Sequence, residues 1–414
     1  MNRIIKTTKG LHLAKLLVAA VFLRLLVMPF YFHPDIKTFN FQAHFLQQGV
    51  TDIYSYLAVN KSKLPLKDEF VYFPLTYFFL GSYQWFASPF LGSNFTTWVS
   101  NSSQTANEAV GVFRYLFILK LPYLLFDLGT AFLLMSLFEE DKKKRQAFIF
   151  WLFNPFSIFI IYAFGNFDII PVFLTIASLV LARKQHLVAS SVVLGTAVAF
   201  KMYPLLFLPF LILEGRNMKE RVWITFGGVG VFLLTIIPFL GSKYFWQSAL
   251  VSGLTTRMIY PDFGIGFGES IMVAVAALSI LYFYRLAQYR QGVEIIWKYF
   301  LAAMLLLFSL IHYHIQWLLW FLPLLIIFIV IENRAVLSGF LLMSAACLVP
   351  FFYDDKYMSV SLLSAISGLY DLVPTPFVVA QKLYDPFLIQ SIFHSILLGG
   401  SLVIIRQLFR YGKI

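Results

Sequence analysis

Long apolar runs, each interrupted by a short basic or proline-bearing stretch, set the rhythm of this chain. Runs of this kind read as membrane-spanning helices rather than as the alternating pattern of strands. The basic interruptions are the N-terminus, "EEDKKKRQ" (139–146), "RKQH" (183–186), "EGRNMKER" (214–221), "RLAQYRQG" (285–292), "NR" (333–334) and the C-terminal "RQLFRYGKI". Lys and Arg gather in cytoplasmic loops, so these segments predict about twelve spans with both termini inside. The spans are expected near 11–31, 113–137, 147–163, 169–182, 187–200, 202–213, 222–240, 270–286, 296–311, 318–332, 335–351 and 386–408. The fold class expected is an all-α polytopic membrane protein.

One further run, "VYFPLTYFFLGSYQWFASPFLG" (71–92), is apolar enough to cross, and crossing would reverse the side of every later segment. Its prolines, Tyr72, Tyr77, Tyr83 and Trp85 suit a helix lying in the outer interface, where amphipathic aromatics collect. On that reading 32–112 forms one large external loop carrying interfacial helices. The segment 353–385 is expected to carry another.

Composition agrees with this class. The 414 residues are 60% hydrophobic and 13% charged, with a mean hydropathy of +0.78. A soluble domain does not carry so many long apolar runs. The net charge of +12 would suggest nucleic acid in a soluble chain; here it follows from basic loops, and no nucleic-acid partner is expected. A lone cysteine, Cys347, excludes an internal disulfide. The basic stretch Met1 to Lys15 precedes a run without a clear small-residue cleavage site, so that run is read as the first span. The whole chain, 1–414, is expected to be one transmembrane unit, with a core over 11–332 and C-terminal helices of unassigned role over 333–414.

Several runs are too short to cross alone. The pieces flanking Lys201-Met202-Tyr203-Pro204, and those flanking Gly165-Asn166-Phe167-Asp168, imply turns sunk below the outer surface. Irregular backbone at that depth is tolerated where protein buries it or a wet cavity meets it. Repeated short hairpins therefore predict a cavity open to the outer face, with Lys201, Asn166 and Asp168 beside it. Lys120 and Asp127 lie seven apart in one predicted span and share a helical face. Two readings stand for them: neutralisation by separate structural partners, or Lys120 lining the cavity with Asp127 supporting it. In "LIHYHIQWLLWFLPL" (310–324), His312, His314 and Gln316 stand two apart at the outer start of a span. They read either as interface residues or as hydrogen-bond donors to a phosphate; a zinc site lacks an evident third ligand. Arg257, in the Gly-rich "TTRMIYPDFGIGFGES" (255–270), is either a solvated loop arginine or a bidentate phosphate grip. That stretch lacks the ending of a P-loop. Three Asn-X-Ser/Thr sequons, at Asn60, Asn94 and Asn101, fall on the predicted outside, as chance alone allows.

The first span ends in "PFYFHPDIKTF" (29–39), placing Asp35 directly outside the membrane. Together with the ordered elements that follow, this chain resembles the GT-C superfamily of membrane glycosyltransferases, whose hallmark is an external aspartate after the first span. "HPD" looks like the start of the "HPDE" of some mannosyltransferases, with Ile36 in place of the glutamate. "YFPLTYFFLG" (72–81) is similar to the "YPPL" element of bacterial and archaeal members. "LKLPYLLFDLGTAFLL" (119–134), "NPFSIFIIYAFGNFDIIPVFL" (154–174) and "GTAVAFKMYPLLFLP" (195–209) follow the family order K…D, NP…G…D and G…K…P. "HIQWLLWFLPL" (314–324) is similar to "SQYFLWYLxLLPL" of the glycosylphosphatidylinositol first-mannosyltransferase branch, with Gln316 matching its Gln. The resemblance covers about residues 11–332. The DXD pair of that branch is absent from the first loop, so Asp35 lacks its usual companion and a divalent metal lacks its usual ligands.

The resemblance implies a GT-C-like bundle and a polyprenyl-phosphate sugar as donor. It also implies a glycan, lipid or protein acceptor, inversion at the anomeric carbon, and Asp35 as general base on the extracytoplasmic side. Lys201, His312, His314, Gln316 and Arg257 are then the candidates for holding donor phosphate or substrate. Lys120, Asp127, Asn166, Asp168 and Tyr72 are the candidates for lining or supporting the cavity. No cofactor is certain; a divalent metal stays open, without a DXD motif to support it. The location implied is the cell membrane, or the endoplasmic reticulum membrane in a eukaryote. A transporter or flippase of lipid-linked sugars is the alternative; transporters often show internal repeats with broken helices, and no such repeat is evident here.

Overall fold

The computed structural model describes residues 2–102, 110–251, 260–288 and 292–410, with side chains described from residue 13 onward. The first helix, α1 (Asn2–Val27), leads through a turn into α2 (Pro34–His44), and a longer helix α3 (Pro74–Leu91) follows. The bundle proper comprises α4 (Val112–Ser136), α5 (Asp141–Leu152), α6 (Ile169–Arg183), α7 (Leu187–Phe200), α8 (Met218–Ile236), α9 (Val273–Ala287), α10 (Ile296–Leu310), α11 (Leu322–Ile331), α12 (Val336–Phe351) and α13 (Pro386–Leu408).

The chain is a polytopic helical membrane protein. Among the described residues, five helices are long and apolar enough to cross a bilayer: Val112–Ser136, Met218–Phe239, Val293–Leu310, Asn333–Phe351 and Pro386–Leu408. A sixth arises if the pair Asp141–Leu152 and Pro155–Ala163, bent by 40°, is one broken span. That is fewer than the run count suggests, because several runs stop at 10 to 17 residues, Ile169–Arg183, Leu187–Phe200 and Leu322–Ile331 among them. At 1.5 Å per residue, fifteen residues rise about 22 Å against a hydrocarbon core of about 30 Å.

Prolines place several of these breaks. Pro155 opens a new helical start after Leu152, capped by Asn154, whose Oδ1 accepts from the amides of Phe156 and Ser157. The stretch expected as one helix over 202–213 is a tight turn at Tyr203–Phe207 followed by Leu208–Glu214, with a proline near the start of each. The segment after Lys356 is a series of tight turns with one short helix, Pro376–Gln381. A small exposed antiparallel hairpin, β1 (Asp262–Gly266) with β2 (Glu269–Met272), stands where a Gly-rich loop was expected.

Two cores form. The larger fills the bundle. The second gathers Phe32, Ile36, Tyr54, Tyr77, Trp98 and Tyr115, with Tyr357 from the C-terminal part of the chain. Its rings meet mostly edge to face, as Phe32 does with Trp98 and with Tyr357, the favoured geometry for aromatic pairs. This second core holds the turn between α1 and α2, which also donates from the Phe32 amide to the Leu362 carbonyl at 2.8 Å.

Two buried polar networks fix α1 against α4. Arg24 donates through Nε to Asp127 Oδ2 at 2.5 Å and through Nη1 to the carbonyls of Ala20 and Leu152. Asp127 also accepts from Trp151 Nε1 and the Tyr162 hydroxyl, each at 2.7 Å. One turn before the end of α1 there is thus a neutralised charge pair with no exposed surface. Nearer the α2 side, Lys120 Nζ donates to the carbonyls of Met28 (2.9 Å) and Tyr31 (2.5 Å). These lie just past the end of α1, where helix carbonyls lack an intrahelical partner. Gly165 lies against the same lysine: its φ is +66°, and a Cβ there would stand 2.7 Å from Lys120 Cε and 3.1 Å from Ile36 Cδ1.

Two outcomes follow for stability, each read as a thermal midpoint of purified protein in detergent. Arg24→Ala leaves Asp127 charged and without its cation, and should cost about 3–5 kcal/mol, whereas the paired change Arg24→Met with Asp127→Leu should recover most of that loss. Gly165→Ala combines a left-handed backbone with a steric overlap and should cost about 1–3 kcal/mol. Gly230→Ala, in α8 with open space around it, should be neutral or slightly stabilising.

Candidate active site

Asp35 sits in the first turn of α2, one residue after Pro34. Pro34 is suited to that position because its missing amide would have no intrahelical partner. His33 caps the helix: its Nδ1 accepts from the Asp35 amide at 3.2 Å. The ring is thereby held as the Nε2–H tautomer, packed against Phe164 with centroids 5.1 Å apart. The Asp35 side chain keeps 35% of its surface exposed, unlike the other carboxylates at this depth. Its Oδ2 accepts from Gln316 Nε2 at 2.8 Å across 281 residues of sequence.

Gln316 comes from a tight helical turn, Ile315–Trp320, entered through an extended stretch at 311–314. Irregular backbone lets the residues of this segment diverge. Gln316 turns to Asp35, while half-buried His314 packs against Trp317 at 6.0 Å. Exposed His312 points elsewhere, stacking on Tyr353 with centroids 4.7 Å apart and its Nδ1 3.3 Å from the Tyr353 hydroxyl. Among the described residues no three His, Cys, Asp or Glu side chains gather into a ligand set.

The second charged group is Lys201 with Asp168. Lys201 follows α7 in extended backbone and Asp168 precedes α6, so both come from the breaks between short helices. Lys201 Nζ donates to both oxygens of Asp168, at 2.6 and 2.9 Å, and Trp320 Nε1 adds a donor at 3.3 Å. The ammonium also lies 5.1–5.8 Å from the ring centroids of Tyr72, Phe167, Trp317 and Trp320. Those distances fall within cation–π range. Asn166 belongs to the same turn, its Oδ1 accepting from the Asp168 amide at 3.3 Å.

Tyr72 joins the two halves. Its phenol is pushed well above its ordinary pKa by burial, with the charges of Asp35 and Asp168 adding to the effect. It therefore stays a neutral hydroxyl at any working pH. Asp35, Tyr72, Asp168, Lys201 and Gln316 therefore share one neighbourhood. Lys120 and Asp127 take their places in the support described above, Lys120 fully buried on helix-end carbonyls rather than lining an opening. Arg257 lies outside the described residues.

Reading of the sequence alone did not anticipate Arg24 as the partner of Asp127, nor the aromatic enclosure of Lys201. A lone arginine inside an apolar run, "VFLRLLV" (21–27), was the available signal for the first. The tryptophans of "IQWLLW" (315–320) were the signal for the second.

Comparison with known proteins points the same way. Residues 111–316 match the model of glycosyltransferase family 87. The chain is 29% identical over 133 residues to GPI mannosyltransferase 1 of Kluyveromyces lactis, an alignment covering 30% of this chain and 32% of that protein. It is 27% identical over 129 residues to GPI mannosyltransferase 1 of Saccharomyces cerevisiae, again 30% and 32%. For the protein of that name from Schizosaccharomyces pombe the figures are 33% over 97 residues, 22% and 26%. The chain thus spans about a third of the length of the curated relatives it matches, or less. The resemblance read from the motifs is borne out as a similarity: the chain is similar to glycosyltransferase family 87 over residues 111–316 and, over about a third of its length or less, to GPI mannosyltransferase 1.

Proposed function

We propose that this protein transfers a sugar from a polyprenyl-phosphate donor to a glycan, lipid or protein acceptor, inverting the anomeric centre, with Asp35 as general base. The observation carrying this reading is a partly exposed carboxylate, set at a helix start and gripped through one oxygen by Gln316. A base in glycosyl transfer must meet the acceptor hydroxyl with a free oxygen, and fixing Oδ2 presents Oδ1 for that purpose. The acceptor oxygen attacks the anomeric carbon as its proton passes to Asp35. The bond from that carbon to the phosphate oxygen breaks, and the electron pair leaves with polyprenyl phosphate.

Charge accumulates on the departing phosphate, so donors fixed in advance toward it lower the barrier. Lys201 is our candidate for the cation, with Gln316 and His314 as neutral donors; Arg257 completes the phosphate-binding set, and His312, stacked on Tyr353, belongs to the substrate-binding side. Asp168 and the four rings hold the ammonium in place, and Tyr72 and Asn166 complete the wall. The single unit of 1–414, with about twelve passes counting short and broken helices, an external region at 32–112 and Asp35 on the extracytoplasmic face, belongs to the same proposal. It is supported by the basic segments, which recur at alternate helix ends away from the Asp35 turn.

The test is sugar release from a panel of radiolabelled polyprenyl-phosphate sugars, including mannose, by the purified full chain in detergent. Parent protein should transfer or slowly hydrolyse one donor. A folded Asp35→Asn variant should lose about 10²–10⁴-fold of that rate, the usual contribution of a positioned base. Equal rates in parent and variant would remove Asp35 as the base. Specific donor binding without turnover would instead favour a lipid-linked sugar transporter.

A further inference from the structure

A separate cavity of about 410 Å³ opens at the Asp35 end of the bundle, between the last turns of α10 and α12 and the first half of α13. That volume is within the range of small-ligand sites. Much of its lining comes from beyond residue 316, where the match to the glycosyltransferase model stops. From this lining we infer that the cavity is a subsite for a neutral saccharide, the sugar portion of the acceptor; the acceptor role rests on the transferase reading above.

The chemistry of the lining selects the ligand. Among the described residues, no Lys, Arg, Asp or Glu contributes to it, so that lining offers no counter-charge to a phosphate or an amine. Most of the polar groups that do contribute have spent a donor on the backbone and retain acceptors. His394 donates through Nε2 to the Phe308 carbonyl at 3.1 Å, leaving Nδ1 as an acceptor. Gln390 donates through Nε2 to the Phe352 carbonyl at 2.6 Å, leaving its carbonyl oxygen and one N–H. Ser391 and Ser395 donate to carbonyls one turn back, at 2.8 and 2.7 Å, leaving hydroxyl lone pairs. The Ser309 hydroxyl, from a residue 5% exposed, is buried without a hydrogen-bond partner.

A rim rich in acceptors suits a ligand rich in hydroxyl donors and repels an anion. The stacked His312 and Tyr353 rings, with Val349 and Leu398, add apolar and aromatic surface for the C–H faces of a sugar ring. The site is also within reach of the candidate base. His312 lines the cavity and Gln316 holds Asp35; four residues of chain span at most about 14 Å. One acceptor molecule can therefore occupy the cavity and present a hydroxyl at Asp35.

Saturation-transfer NMR on the full chain in detergent tests this, with methyl α-mannoside and methyl β-glucoside as neutral probes and mannose 6-phosphate as the anionic one. Four proteins are compared: parent, Asp35→Asn, Ser395→Ile, and the double variant Ser391→Leu with Ser395→Leu, which fills the cavity while keeping α13 apolar. At least one neutral saccharide should bind parent and Asp35→Asn alike, at least tenfold more tightly than mannose 6-phosphate, and binding should fall at least tenfold in the double variant. Ser395→Ile alone should give an intermediate loss, and thermal midpoints matching the parent show that both variants fold. No neutral binding to parent, undiminished binding to the folded filled variants, or preference for the phosphate would each overturn the inference. Sugar release by the parent is read separately. Its absence, with saccharide binding intact and mapped to the cavity, would count against the transferase reading and leave the saccharide site standing.

Discussion

Everything near Asp35 depends on how the end of α1 is held inside the protein. A helix that stops within the bundle leaves carbonyls without partners, and at this depth water is scarce. Lys120 meets two carbonyls of the turn just past the helix, Met28 and Tyr31, and these partners hold its ammonium in an otherwise apolar setting. One turn deeper, Arg24 and Asp127 neutralise each other and share Trp151 and Tyr162. Neither network works as a generic stabiliser, because buried ion pairs gain little over well-packed apolar groups. Their value is positional: each fits only one placement of α1 against α4, so the α1–α2 turn has one exit direction.

That direction explains the division of labour between the two carboxylates of the site. Asp168 is buried and saturated, with Lys201 on both oxygens and Trp320 beside it. Its environment leaves it nothing to do but fix the cation. Asp35 is partly exposed and held through one oxygen by a neutral amide. For the base proposed at Asp35, an amide on Oδ2 orients the carboxylate without supplying a full charge that would weaken it. The two carboxylates thus differ in partner and in exposure, the contrast on which their proposed roles rest.

The legible part of this architecture was local. Apolar runs and basic punctuation foretold a helical membrane protein, and the aromatic-rich 71–92 stretch is one helix, α3, which is not among those long and apolar enough to cross. Periodicity speaks only about neighbours in sequence. Arg24 meets Asp127 across 103 residues, Lys201 meets Asp168 across 33, and Gln316 meets Asp35 across 281. No local pattern encodes those pairings. Residue type gave half of each pair, since a charge in an apolar run demands a partner, but the partner's identity waited on the fold. The hairpin at 262–272 was missed for a related reason: its residues are largely exposed, so no buried alternation marked it as strand.

The break between short helices carries a further consequence. Lys201 and Asp168 can meet because α6 and α7 both stop short, bringing two irregular segments to the same depth. Full-length helices would have delivered both residues to the membrane surface, where an exposed ion pair contributes little and solvent competes for both partners. At the depth they occupy, four aromatic faces replace that solvent around the ammonium. A phosphate arriving there would meet a cation that is oriented but poorly hydrated, so little water has to be displaced before contact. Short helices, which look like a defect when spans are counted, are what allow a membrane protein to keep a charge ready below its own surface.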